Sequence, residues 1–231
     1  MINGLRVLAV ITARGGSKGV VGKNLRPIGG RPLIGWTIDE AAKSKYIDRT
    51  ILTSDDDAII DFALAEGCEA PFVRPDHLAT DEATSLDVVR HALDEEGAGF
   101  DLLVLLQPTS PFRTARDIDA AVDKMLAEDA RTCISVCEVS KSPHWMFEIK
   151  DGERLTPVLK VEDVPRNTRR QDLPPVYIVN GAVYVAYIAD LLGDGNFIDD
   201  DTVGYIMPVD RSLDIDHELD LKVAELMLAE G

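Results

Sequence analysis

The feature that most constrains this chain is the run at residues 5–12, LRVLAVIT, nearly all apolar and emptying into the loop ARGGSKGVVGKN. A strand apolar on both faces is stable only inside a sheet covered on both sides, so the chain must also supply helices for two layers. It does. Apolar runs recur at 49–53, 102–106 and 132–138, and helical periodicity recurs at 32–44, 55–66, 85–95 and 117–127. Pro32 opens the first of these helices, and Ser54 is the expected N-cap of the second. A shorter strand is expected at 70–73. Strand and helix in alternation predict a doubly wound, mainly parallel α/β sheet, whose ligands sit beyond the carboxyl ends of its strands. The loops after Thr12, Thr53 and Leu106 should therefore share one edge.

The pattern changes at 141–175, a polar stretch with five prolines and a basic run at 166–170. It reads as an insertion. Strand character resumes at 177–187, where Gly181 interrupts it, and again at 203–207; an amphipathic helix over 215–230 closes the chain. A length of 231 residues suits one domain spanning 1–231, with 141–175 as an extension.

The formal net charge is −17, which argues against general binding to nucleic acid or to acidic membrane. Its distribution is more telling. Residues 1–38 hold no Asp or Glu, yet carry Arg6, Arg14, Lys18, Lys23, Arg26 and Arg31. A cationic island on an acidic protein calls for a small anionic ligand. Cys68, Cys133 and Cys137 are odd in number and lack a CxxC pair, so neither a disulfide framework nor a zinc site is expected. Cys133 and Cys137, four apart on one strand, are expected to share a face as buried thiols. His77, His91, His144 and His217 show no metal-ligand spacing. No apolar run is long enough to span a bilayer and the start lacks a signal pattern, so a cytoplasmic enzyme is expected.

The glycine loop can be compared with three familiar patterns. GxGxxG is absent. A P-loop needs GxxxxGK[ST], but Ser17 stands five before Gly22, and Asn24 follows Lys23. Gly15, Ser17 and Gly19 spell GxSxG, but Gly19, Gly22 and Pro27 preclude the prompt helix that a nucleophile elbow requires. What remains is a strand, a loop rich in free N–H donors, and Arg14, Lys18 and Lys23 as charge for oligophosphate oxygens.

The segments ARGGSKG with GKN at 13–24, LQPTSPFR at 106–113, NGAVY at 180–184 and DIDHELD at 214–220 together resemble the acylneuraminate cytidylyltransferases, or CMP-sialic acid synthetases. The blocks run in family order over nearly the whole chain. The resemblance implies a Rossmann-like nucleotidyltransferase fold and transfer of CMP from CTP to the anomeric hydroxyl of an acidic nine-carbon sugar, with release of pyrophosphate. It assigns nucleotide binding to Ala13, Arg14, Gly15, Ser17, Lys18, Lys23, Asn24, Arg74 and Ser85. Sugar binding falls to Gln107, Arg170, Asn180 and Tyr184, and Mg²⁺ to Asp214 and Asp216. Arg14, Lys23 and Asp216 are the expected catalytic residues.

Several alternatives accompany these assignments. Arg74 could instead be a surface charge at a strand end, and Asp216 a cap for the last helix. In an extended segment Asp214 and Asp216 alternate with Leu213 and Ile215, so both carboxylates should face one way. Arg166, Arg169 and Arg170 are all candidates for the sugar carboxylate, bound bidentately. The resemblance makes 141–175 a dimerisation extension reaching toward the partner's site, hence a homodimer with some arginines acting in trans. Trp145 and Ile178 stand where some members have lysine and arginine, which keeps legionaminate and ketodeoxynonulosonate beside N-acetylneuraminate as acceptors. An octulosonate or phosphonate cytidylyltransferase, and a silent nucleotide-binding regulator, are the competing readings.

Overall fold

The computed structural model describes residues 1–150, 152–159, 168–169 and 172–230. Its elements are β1 (Val7–Thr12), β2 (Pro27–Ile28), β3 (Arg31–Pro32), α1 (Leu33–Lys43), β4 (Arg49–Thr53), α2 (Asp57–Ala65), α3 (Ser85–Glu96) and β5 (Leu102–Leu106). They continue with α4 (Ala115–Ala127), β6 (Thr132–Glu138), β7 (Phe147–Lys150), β8 (Arg154–Pro157), β9 (Tyr177–Tyr187), α5 (Ile188–Leu192), β10 (Thr202–Ile206) and α6 (Glu218–Glu230).

One six-stranded sheet runs β10-β6-β9-β5-β1-β4. β1 lies parallel to β4 and β5, and β10 parallel to β6. β9 alone is reversed, antiparallel to both its neighbours. The mainly parallel, doubly wound expectation therefore holds, with one antiparallel strand in the middle. Leu102 to Leu106 are fully buried, as are Val7 to Ile11, which explains why β1 and β5 are apolar without alternation. One face is covered by Ile34, Ile38, Ala63, Ile118 and Val122 from α1, α2 and α4; Val89, Leu93 and Leu191 from α3 and α5 cover the other. Each such Val, Leu or Ile side chain contributes about 2 kcal/mol by leaving water.

The structure differs from the sequence reading in several places. No strand forms at 70–73; the chain makes only a bridge from Ile51 to Glu69. Pro71 has no N–H to offer a ladder there. Asp56, not Ser54, caps α2, its carboxylate accepting from the N–H groups of Ala58 and Ile59. The β2–β3 hairpin, turning through Gly29 and Gly30 at positive φ, was not expected, nor was α5. The last helix starts at Glu218 rather than 215, because the Ile215 N–H is taken by the Thr109 carbonyl (2.8 Å). Cys68 and Cys133 are buried, with thiols pushed up to about 12 by desolvation. Cys137 is only half-buried, near the end of β6 where its partner on β9, Ile178, is exposed.

The β6–β9 pairing contains a large bulge. Ile134 pairs with Tyr184 and Val136 with Val179, so residues 180–183 stand opposite Ser135 alone. Gly181 turns the bulge at φ 74°, a conformation open to glycine. Beyond it, Glu138 pairs with Tyr177, and the Val139 N–H bonds the Val176 carbonyl (3.1 Å). β6 and β9 thus form one long antiparallel hairpin, and in the chain between them β7 and β8 pair antiparallel, a hairpin the sequence pattern did not reveal.

Candidate active site

The carboxyl ends of β1 and β5 open into a cleft of about 370 Å³. The glycine loop forms one wall, and β5 delivers Gln107, Pro108 and Thr109 to another. The Ala13 N–H prolongs the β1–β4 pairing onto the Thr53 carbonyl (3.1 Å), and the Gly15 N–H reaches Asp55 Oδ1 (3.1 Å). These two residues shape the loop from behind and do not line the cleft. Asn24, buried, donates from Nδ2 to the Arg14 carbonyl (3.0 Å) and so ties the loop's end to its beginning. At Gly19 the backbone passes so close to the Asp216 carbonyl oxygen that a Cβ would overlap it. The loop is therefore seated directly on the segment that carries the acidic pair.

The cations expected for phosphate converge here. Arg14, Lys18 and Lys23 all line the cleft, with Ser17, Asn24, Arg74 and Ser85. Lys23 Nζ donates to the Ile215 carbonyl (2.7 Å) and to Asp216 Oδ1 (3.1 Å). Arg14 Nη2 pairs with Asp81 Oδ1 (2.5 Å), and Lys18 with the other oxygen of the same carboxylate. Hydrogen bonds from Lys18 and Arg14 hold Asp81 below the usual carboxylate range. Arg74 is not a surface charge: it is 4% exposed, with Nε on Thr53 Oγ1 (3.1 Å) and Nη2 on the Thr53 carbonyl (2.5 Å). Desolvation lowers it to about 10, with Asp55 opposing the shift. Ser85 opens α3 behind the capping box of Thr84 and Asp87.

The acidic pair divides. Asp216 is exposed, lines the cleft and faces Lys23; among the described residues no hydrogen bond ties its carboxylate to α6, where Asp220 Oδ2 instead reaches back to accept from the N–H groups of Asp216 and His217. Asp214 turns inward. Its Oδ1 is buried without a hydrogen-bond partner, and burial raises its pKa, opposed by a hydrogen bond from Thr109. The expectation that both carboxylates present one open face is thus half met.

Of the residues expected to meet the sugar, Gln107 lines the cleft. A side chain at 181 would run into Gln107 Oε1, so glycine there keeps the amide in place. Tyr184 is half-buried behind it, edge-on to Phe197 (5.3 Å between centroids), and burial together with Asp214 pushes its phenol up. Asn180 has a different place. It is 5% exposed, accepts at Oδ1 from Ser135 Oγ (2.6 Å), and donates from Nδ2 to Ser212 Oγ (2.9 Å). Its amide holds the bulge rather than facing the cleft. Arg169 pairs with Asp172 (3.0 Å) on the surface, while Arg166 and Arg170 lie outside the described residues.

Sequence reasoning passed over two buried charges that brace this edge. Arg113, fully buried, donates to the carbonyls of Gln107 (3.1 Å) and Ala182 (2.8 Å) and to Thr37 Oγ1 (2.7 Å), and desolvation lowers it to about 10. Asp117, also fully buried, is held by Arg211. The only signal for Asp117 was its position three after Thr114, the spacing of a capping box.

Among the described residues no helix is long and apolar enough to cross a membrane. The sheet and its edge define a nucleotidyltransferase-type fold: a solved CMP:2-keto-3-deoxy-manno-octonic acid synthetase complexed with CTP superposes with a TM-score of 0.71 at 18% identity, covering 98% of this chain and 100% of that one. The family model for cytidylyltransferases matches residues 8–178, and the chain belongs to that family. It is 31% identical to a CMP-N,N'-diacetyllegionaminic acid synthase of Legionella pneumophila, with 97% of each chain covered. It is also 32% identical to an N-acylneuraminate cytidylyltransferase of Escherichia coli, covering 95% of this chain and 51% of that protein.

Proposed function

We propose that the protein transfers CMP from CTP to the anomeric hydroxyl of a nonulosonate, a sialic-acid-like nine-carbon acid sugar. The observation that carries this is the convergence of Arg14, Lys18 and Lys23 with Asp216 and Gln107 on one cleft, in a chain of this family. In the reaction the hydroxyl gives up its proton to solvent as its oxygen bonds the α-phosphorus, and the bond from that phosphorus to the α–β bridging oxygen breaks, so pyrophosphate leaves with the electron pair. The chain's contribution is positioning and charge neutralisation. Arg14 and Lys18 exchange Asp81 for phosphate oxygens, and Lys23, anchored on the Ile215 carbonyl, turns its remaining donors to the triphosphate. Arg74 and Ser85 bound the nucleotide end; Gln107, with Tyr184 behind it, meets the sugar. Asn180 supports that wall from the bulge, and Arg170, outside the described residues, is proposed on the family resemblance for the sugar carboxylate.

Mg²⁺ fits the same edge. Among the described residues no group of three or more metal-ligating side chains is assembled, but Mg²⁺ is usually bound by one or two carboxylates together with substrate phosphates. The orphaned Asp214 Oδ1 is a donor that lacks a partner. Asp214 and Asp216 would hold the ion, which when bound would offset the charge building on the transferring phosphoryl group.

Pyrophosphate release with CTP tests the acceptor class. One of N-acetylneuraminate, legionaminate or ketodeoxynonulosonate is expected to turn over with a kcat/KM at least about tenfold above that of an octulosonate. Preference for the octulosonate, or no release with any of them, would overturn the reading.

The same reading makes the protein a homodimer. Ile149 and Leu155, directly opposed on β7 and β8, are 68% and 64% exposed, and Met146, Phe147 and Leu159 are exposed nearby. A lone two-stranded hairpin is marginal in water, and an apolar one of this kind needs a cover. Ile149→Asp is expected to sediment as a monomer with unchanged circular dichroism, against a dimer for the unsubstituted protein. A dimer in both would remove the hairpin from the interface. Cys68, Cys133 and Cys137 are all free thiols, which suits a reducing cytoplasm, where we place the activity.

A further inference from the structure

The segment 211–216 delivers both acids of the pair, and it is tethered at each end. At the far end the Ile215 N–H bonds the Thr109 carbonyl (2.8 Å), and the Ile215 carbonyl accepts from Lys23 Nζ (2.7 Å). At the near end Arg211 grips Asp117 bidentately, Nε on Oδ2 (3.0 Å) and Nη2 on Oδ1 (2.7 Å). Asp117 is wholly buried at the start of α4, where its carboxylate also accepts from the Thr114 N–H (2.9 Å), Thr114 Oγ1 (2.7 Å) and Tyr205 OH (3.0 Å). Burial alone would raise its pKa, but these donors outweigh it and hold it below the ordinary range.

Between the two tethers stand Ser212, whose hydroxyl accepts from Asn180 Nδ2 (2.9 Å) and donates to the Pro208 carbonyl (2.8 Å) and so holds the segment beside Arg211, then Leu213 and Asp214. Three residues reach about 10 Å fully extended, so a shift of Arg211 has little slack in which to dissipate before it reaches Asp214. Thr109 and Thr114 belong to one loop, so a single rigid piece, from Gln107 to the first turn of α4, carries both anchors.

We infer that Arg211 is a positioning residue for CMP transfer: its fork on Asp117 sets where Asp214 and Asp216 stand relative to the cations of the glycine loop. This rests on the metal-assisted reading above. A guanidinium makes two parallel bonds to one carboxylate and fixes direction, whereas an ammonium in its place keeps the charge and loses the fork. Arg211→Lys therefore separates charge from geometry.

The test uses the full-length protein with Mn²⁺ as the probe ion and CTP present without any acid sugar, Mn²⁺ binding being followed by electron paramagnetic resonance. Arg211→Lys is expected to weaken Mn²⁺ binding about tenfold, as losses of groups behind metal ligands do. It should lower kcat with a nonulosonate by a similar factor and leave the KM for CTP within about twofold. Tyr205→Phe, which removes one donor from Asp117 and leaves the fork, keeps the test alive should Arg211→Lys fail to fold; it should shift Mn²⁺ binding about two- to threefold in the same direction. Unchanged Mn²⁺ binding and kcat in the folded variants would overturn the positioning role alone. No Mn²⁺ binding by the unsubstituted protein with CTP would instead sink the metal reading, and the inference with it.

Discussion

Asp216→Ala is expected to cut the turnover number about a thousandfold while leaving the protein as stable as before. The size follows from removing a group that acts on developing phosphoryl charge inside a preorganised cleft. The preserved stability follows from the geometry. Asp216 is an exposed side chain whose carboxylate pairs with Lys23, and Lys23 keeps its bond to the Ile215 carbonyl after the truncation. Exposed substitutions of this kind change stability by about 0.5 kcal/mol or less. Pyrophosphate release across an Mg²⁺ titration, beside a thermal melt, reads both quantities. A turnover number within about threefold of the original at saturating Mg²⁺ would remove Asp216 from the reaction, since ordinary surface changes do no more.

Gly19→Ala should damage both binding and folding. The backbone there abuts the Asp216 carbonyl oxygen, and an added Cβ meets main chain rather than the flexible end of a side chain. Either the loop lifts or the 211–216 segment recedes. Overpacking of this sort costs about 1–3 kcal/mol of stability. Separation of the cations from the acidic pair should also raise the KM for CTP and lower kcat, together costing about a hundredfold in kcat/KM. Gly16→Ala is the control, because nothing lies within 4 Å of a Cβ at that position. Equal behaviour of the two variants would mean that the loop is not seated on Asp216.

Much of this molecule was legible from residue pattern. β1 and β5 are apolar on both faces because both faces are buried, and that alone forces a covered sheet with the site at its carboxyl edge. The glycine loop was legible because charge, glycine spacing and a preceding strand coincide at 13–24. What escaped depends on neighbours far apart in sequence. That Asn180 turns inward follows from Ser135 and Ser212, 45 and 32 residues away. That Asp214 and Asp216 diverge follows from Thr109 and Lys23, whose bonds to Ile215 fix the backbone between them. Arg113 stood in the sequence only as the end of the LQPTSPFR segment and Asp117 only as a capping-box acid, and tertiary packing is what makes them buried braces.

The reversed strand in the middle of the sheet has a consequence for the order in which the molecule is made. β4, β1 and β5 are complete once Leu106 has been synthesised, but β6 has no neighbour to pair with until β9 wedges between it and β5. Translation at about 5–20 residues per second puts a few seconds between the appearance of Glu138 and that of Tyr187. During that interval the nascent chain carries two unpaired apolar edges, and any fragment ending inside the extension would carry them permanently. The strand that brings Gly181 and the bulge to the cleft is therefore also the one whose arrival closes the β5 edge and joins β6 to the sheet, leaving only the outer edge of β6 for β10 to cover.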